Sequence, residues 1–188
     1  MSKEKLSSPT TLLGPVPSAL ISCGRAGKDK NIITLAWVGV VNSSPPMVSI
    51  SIRPSRYSHR VIKETGEFVI NIPTADQLLL VDGCGTISGK KVDKFKHFHL
   101  TPVQGTLEQA PLIDECPINL ECRVKQTLVL ASHELFIGQI EQVYVSEDFL
   151  NERGENNFQP REWPAYFGGQ YFTASPLDLS MGYSLKKP

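Results

Sequence analysis

Three short stretches hold residue types that could do chemistry. They are Asn31-Ile32-Ile33-Thr34-Leu35-Ala36-Trp37, Ser51-Ile52-Arg53-Pro54-Ser55-Arg56-Tyr57-Ser58-His59, and Ser88-Gly89-Lys90-Lys91-Val92-Asp93-Lys94-Phe95. The second puts Arg56, Tyr57 and Ser58 at an expected helix start, where backbone N–H groups and the helix dipole favour an anion. The third puts Ser88, Gly89 and Lys90 in a loop whose glycine lets the backbone approach a ligand closely. The first sets Thr34 and backbone N–H groups beside the flat apolar face of Trp37. Cations, hydroxyls and bare N–H groups are what a dianionic phosphate requires. Taken singly, each feature has a plainer reading. Trp37 is then a core aromatic, Arg53, Arg56 and Arg60 a solvated helix edge, Lys90, Lys91 and Lys94 a surface charge run, and Ser88-Gly89 a turn. Asp93 and Phe95 are expected to order the loop.

The elements that position these stretches follow from hydrophobic pattern. Residues 18–23 and 32–41 read as buried strands joined by a turn-rich loop over 24–31. The uncharged run 31–52 as a whole reads as two strands with a turn at Ser43-Ser44-Pro45-Pro46. In residues 47–53, Val48, Ile50 and Ile52 alternate with Ser49, Ser51 and Arg53, which is the pattern of a half-buried strand. Ser55 is the expected N-cap of a helix through Tyr57, Val61 and Ile62, with Gly66 closing it. Another strand follows over 67–72. Thr74 and Gln77 have capping-box spacing ahead of a short helix through Leu78, Leu79 and Leu80. Residues 83–93 read as a loop. Residues 117–131 and 133–145 read as two long strands, with Ser132 near the junction. The tail from Asn151 reads as a loop carrying Trp163, Tyr166, Phe167, Tyr171 and Phe172. About six strands and two or three short helices, without regular alternation, exclude a doubly wound parallel sheet and fit an antiparallel Greek-key barrel.

Composition narrows the classes further. The 188 residues include 19 Lys plus Arg and 19 Asp plus Glu, so no general electrostatic attraction to nucleic acid or an anionic membrane is expected. The length fits one domain over residues 1–188, with a loose tail at 1–11. The polar N-terminus lacks a signal-peptide pattern, and Cys23, Cys84, Cys116 and Cys122 have no zinc-finger spacing. Four free thiols in a reducing cytoplasm is the simplest reading, with a Cys116–Cys122 pair as the alternative. Dinucleotide, P-loop, zincin and nucleophile-elbow motifs are absent.

The three stretches, in their order and spacing, resemble the flavin reductase-like family of FMN-binding split barrels, closest to its flavoredoxin-type branch. Gly66-Glu67-Phe68-Val69-Ile70-Asn71 and His133-Glu134-Leu135-Phe136-Ile137-Gly138 match further strands of that family, and the similarity runs from about Ser18 to Phe172. The resemblance implies a mainly β, six-stranded antiparallel Greek-key split barrel with a few short helices. It implies non-covalent FMN held by Thr34, Ala36, Trp37, Ser51, Arg56, Tyr57, Ser58, Ser88, Gly89 and Lys90. It also implies hydride transfer from NAD(P)H as co-substrate, with His133 near the nicotinamide as a donor-positioning residue. A strand histidine with a purely structural role is the plainer reading of His133, and His59 is equally open. A homodimer is implied, with 151–188 contacting the partner subunit, and a redox partner protein or flavin-dependent oxygenase downstream. The competing functions are a flavoredoxin-like electron carrier reduced by a protein partner and a flavin-free interaction barrel.

Overall fold

The computed structural model describes residues 2–25, 28–155 and 162–175. In chain order the elements are β1 (Val16–Pro17), β2 (Ala19–Arg25), β3 (Lys28–Leu35), β4 (Val38–Ser43), β5 (Pro46–Ile52), α1 (Tyr57–Thr65) and β6 (Glu67–Ile72). A short 3₁₀ turn leads into α2 (Leu78–Thr86) and α3 (Lys94–His97). Then come β7 (Pro102–Val103), β8 (Leu112–Ile113), β9 (Ile118–Val129), β10 (Glu134–Val145), β11 (Trp163–Phe167) and β12 (Gln170–Ala174).

One antiparallel sheet dominates, in the order β3-β2-β6-β9-β10-β5-β4. It has seven strands, one more than the six expected. The extra strand arises because the apolar run over 32–41 is not continuous. It breaks at Ala36-Trp37, where β3 ends and β4 begins. β3 and β4 are the two outer strands of the sheet, so this two-residue link joins its edges. The Trp37 carbonyl accepts from the Ser51 amide at 3.0 Å, tying the link to β5.

The sheet wraps one core. Ile21 of β2, Ile33 of β3, Ile50 of β5, Phe68 of β6, Cys122 of β9 and Phe136 of β10 share a single apolar cluster. α1 adds Val61 and Ile62 to it. Each such side chain, fully buried, contributes about 1.5–3 kcal/mol. The alternation over 47–53 holds, since Val48, Ile50 and Ile52 are buried while Ser49 and Ser51 are only partly so. A second cluster forms where α2 and α3 cover Leu20 and Ile32 through Val81, Cys84 and Phe95. The outer loops are pinned by Asn71, whose Nδ2 donates to the Leu20 carbonyl and whose Oδ1 accepts from the Ile113 amide.

Gly66 closes α1 at φ 70°, and Thr74 and Gln77 form the expected capping box. Three local readings are corrected. Residues 83–86 belong to α2 rather than to a loop. The 24–31 segment is mostly strand, since β2 runs to Arg25 and β3 starts at Lys28. The tail is a hairpin, with β11 and β12 paired across Gly168 and Gly169 at φ 58° and 87°. Residues 156–161 and 176–188 of the expected partner-contacting tail lie outside the described residues. Among the described residues, no helix is long and apolar enough to cross a membrane.

Candidate functional site

The site starts at the head of α1. A turn in which the Arg56 amide donates to the Arg53 carbonyl at 3.0 Å carries Ser55 within it, so Arg56 and not Ser55 occupies the N-cap position. No side chain caps the helix, and its first turn holds no acidic residue. The first N–H groups of the helix are therefore left to another acceptor, at the positive end of the dipole.

A small cavity of about 70 Å³ opens there, between Arg56, Tyr57 and Ser58 on one side and Ser88, Gly89 and Lys94 on the other. Lys94 departs from the surface charge run expected of it. It is only 2% exposed, and its ammonium donates to the Ile32 and Cys84 carbonyls, each at 2.6 Å. It forms no ion pair among the described residues. Burial pushes its pKa down, and the nearby Arg56 charge acts in the same direction.

Asn31 completes the cradle. It is 2% exposed, its Nδ2 donates to Ser58 Oγ at 2.7 Å, and its Oδ1 has no partner. The amide orientation of an asparagine is set by its hydrogen-bond network. Turned over, Asn31 would accept from the Ser58 hydroxyl and present N–H donors at the cavity. A Cβ on Gly89 would lie 2.1 Å from Asn31 Oδ1, so a larger residue here must displace the Asn31 amide. Lys90 sits in the exposed turn beyond Gly89, with its amide donating to Ser88 Oγ at 3.3 Å, and its side chain lines none of the site cavities.

The cradle continues through Arg56 and Gly85 into a groove of about 170 Å³ that contains Thr34, Ala36, Trp37, Ser51, Arg53 and His133. Thr34 donates its hydroxyl to the Val81 carbonyl. Trp37 is not a core residue, since it is 47% exposed, and its ring centroid lies 4.4 Å from that of His133. His133 Nδ1 is 2.8 Å from Ser132 Oγ. Burial, and then the positive charge of Arg53, pushes the His133 pKa below its ordinary value. The groove opens on one side to a hollow of about 640 Å³ walled by Leu12, Leu13, Trp37, Val38 and Leu135.

His59 is not part of this groove. Its Nε2 lies 2.7 Å from Glu134 Oε2, and Lys63 donates to both Glu134 oxygens at 3.0 Å. The Lys63 hydrogen bond, opposed by burial and aided by His59, holds the Glu134 carboxyl below its usual range. This trio ties α1 to β10. All four cysteines are free and buried, so the Cys116–Cys122 alternative is not formed. Burial pushes the Cys84 thiol up to about 11 and the Cys23 thiol up to about 12, which leaves both protonated and unreactive at neutral pH.

Nine of the ten expected cofactor residues thus meet along one groove. Asn31, Arg53, Gly85 and Lys94 join them without having been singled out as ligands. Asn31 opens the first chemistry-bearing stretch and Lys94 lies within the third, so both are polar residues of segments the sequence already marks.

A wrapped antiparallel sheet, closed at one point beside a cationic cradle and an aromatic groove, defines a split-barrel protein for a phosphate-bearing cofactor. The chain belongs to the flavin reductase-like family, whose Flavin reductase like domain matches residues 14–175. It falls with the flavoredoxin branch. The flavoredoxin of Desulfovibrio vulgaris (Miyazaki F) is 31% identical and superposes with a TM-score of 0.84, covering 97% of this chain and 98% of that one. The flavoredoxin of Methanosarcina acetivorans is 32% identical with a TM-score of 0.83, covering 98% and 97%. A protein of Archaeoglobus fulgidus is 38% identical over 129 residues, 69% of this chain and 73% of its own length. The residues present fit the cofactor the family implies. The buried Lys94 cation, the uncapped start of α1 and an Asn31 amide that offers N–H donors once turned over suit an anion at the cradle, and Gly89 lets the backbone approach it closely.

Proposed function

We propose that the chain binds one FMN per subunit without covalent attachment and works as an oxidoreductase, taking hydride from NAD(P)H. The observation that carries this reading is the cradle at α1, where a buried ammonium and an unmet buried amide face an uncapped helix start. Lys94, Arg56, Asn31, Ser58 and the Gly89 backbone hold the phosphate. Thr34, Ala36, Trp37 and Ser51 flank the ring. Bound FMN supplies the hydride acceptance and onward electron transfer that no side chain here could provide. His133, neutral and packed at a tilt against Trp37, positions the donor, and Arg53 beside it attracts the donor's diphosphate. Close alignment of the two rings serves hydride transfer better than an acid would. Four buried free thiols agree with a reducing compartment such as the cytoplasm.

Gently purified protein is expected to be yellow, to keep its flavin through desalting, and to release FMN on acid treatment. A protein that stays colourless after incubation with FMN overturns the reading. A second reading, an electron carrier reduced by a protein partner, draws on the near full-length likeness to two flavoredoxins. Anaerobic bleaching by NADH or NADPH, with turnover of added FMN, supports the reductase. Bound flavin that neither nicotinamide bleaches supports the carrier.

A further inference from the structure

Beside the ring groove lies a chamber of about 320 Å³, sharing Thr34, Ala36 and Gly85 with it. Its other walls are Ser18, Asp82, Tyr166 and Tyr171, brought together by the start of β2, by α2 and by the β11–β12 hairpin. Unlike the cradle and the ring groove, it is lined by no lysine, arginine or histidine. Asp82 forms no ion pair among the described residues. Its Oδ1 accepts from the Tyr171 hydroxyl at 3.2 Å. Burial, then the Asp82 charge, pushes the Tyr171 pKa up to about 12, so the phenol remains a donor and fixes the carboxylate. The Tyr166 and Tyr171 rings meet edge to face, 5.5 Å between centroids.

Ser18 supplies the independent sign of a ligand. It is 3% exposed, its amide donates to the Pro164 carbonyl, and its hydroxyl has no partner. Among the described residues, two buried side-chain polar atoms lack partners, Ser18 Oγ and Asn31 Oδ1. One lies on the phosphate cradle and the other on this chamber.

We propose that the chamber binds a second, uncharged planar ligand that donates a hydrogen bond to Asp82 and accepts one from Ser18, and that Asp82 excludes the anionic counterparts of such ligands. The proposal rests on the flavin reading, because a chamber that opens on Thr34 and Ala36 puts its occupant next to the ring groove. A carboxylate or phosphate entering it would meet Asp82 with no cation to offset the repulsion. An uncharged ring with an amide or hydroxyl donor would lie against the tyrosines and satisfy both polar groups. Two sources share this chemistry, the carboxamide-bearing head of a nicotinamide donor and a phenolic electron acceptor or its reduced form.

The test uses FMN-loaded protein and ligand-observed NMR with two matched pairs, nicotinamide against nicotinate and hydroquinone against 4-hydroxybenzoate. At neutral pH at least one uncharged member is expected to bind and neither anion should. The member that binds names the source. Ser18→Ala should weaken it about two- to tenfold. Asp82→Asn should admit the matching anion while FMN content and circular dichroism stay unchanged. Equal binding of both members of a pair, no binding of any probe, or uncharged-ligand affinity unchanged in both variants overturns the proposal. Flavin content is measured on every sample. A yellow protein that ignores all four probes refutes the chamber alone, and a protein that holds no FMN refutes the cofactor reading.

Discussion

A lysine ammonium sealed from water and bound only to two carbonyls is costly until an anion reaches it. Lys94→Met should therefore weaken FMN about 10- to 150-fold, the range for one charge-assisted contact of about 1.5–3 kcal/mol. Riboflavin, which lacks the phosphate, should be far less affected, and equal losses for both ligands would move Lys94 off the phosphate. The apoprotein carries a matching pH signature. With the folded pKa of Lys94 lowered, the unfolded chain binds the extra proton over the window up to the ordinary lysine value of about 10.4. Apoprotein stability should rise with pH across that window, and Lys94→Met should flatten the rise in thermal melts. His133 obeys the same rule at lower pH. Its proton should leave below the ordinary value of about 6.5, so stability relative to His133→Gln declines as pH falls through that region. NMR titration of the imidazole checks this, and Arg53→Gln should raise the measured pKa. His133→Ala should raise KM for NAD(P)H while FMN affinity barely moves. At this scale Arg56 and Ser58 were legible from a helix start rich in cations and hydroxyls. Lys94 was not, because burial is a property of the fold, and between Asp93 and Lys96 it looks like one more surface charge.

Elements were legible where a period or a local rule decided them. Alternation gave β5, the Thr74–Gln77 pair marked the approach to α2, and Gly66 marked the end of α1. The break between β3 and β4 was hidden because Leu35-Ala36-Trp37-Val38 is apolar throughout. Only the need to carry the chain from one sheet edge to the other ends the strand there. The β11–β12 hairpin did have a signal, since paired glycines at positive φ suit the tight turn whose twist matches two strands. The crowding around it by aromatic residues masked that signal. The loop after α2 offers a test at this scale. The Lys91 amide donates to the Ser88 carbonyl at 3.0 Å, which presses Gly89 against Asn31. Gly89→Ala should displace the Asn31 amide and reduce FMN affinity at least tenfold. Its thermal midpoint without cofactor should fall as well, because the displaced Asn31 amide is buried and hydrogen-bonded to Ser58. A variant that keeps wild-type FMN affinity would show that this loop does not close the cradle.

At the scale of the whole molecule, the apolar surface left in water points to a second copy of the chain. The tail aromatics account for only part of it, because Trp163 packs on Phe149 and Tyr166 on Tyr171 within the subunit, while Phe172 is exposed. More strongly exposed apolar residues lie elsewhere. Leu13 is 83% exposed and Val40 80%, and Trp37, Val41 and Leu12 are also exposed. β4 is an outer strand of the sheet and carries no charge along Val38–Ser43, so nothing on it opposes pairing with another chain. The same residues border the ring groove, as Leu12, Leu13, Trp37 and Val38 share its adjoining hollow. A partner subunit over this face would cover the apolar edge and wall the flavin at once. Val40→Lys with Leu13→Glu should convert a dimer to a monomer in light scattering. FMN affinity should fall in the same variant, although neither residue belongs to the phosphate cradle. A wild-type protein that is already monomeric with FMN bound refutes the dimer. A monomeric variant that binds FMN as well as the wild type shows that each subunit completes its own site.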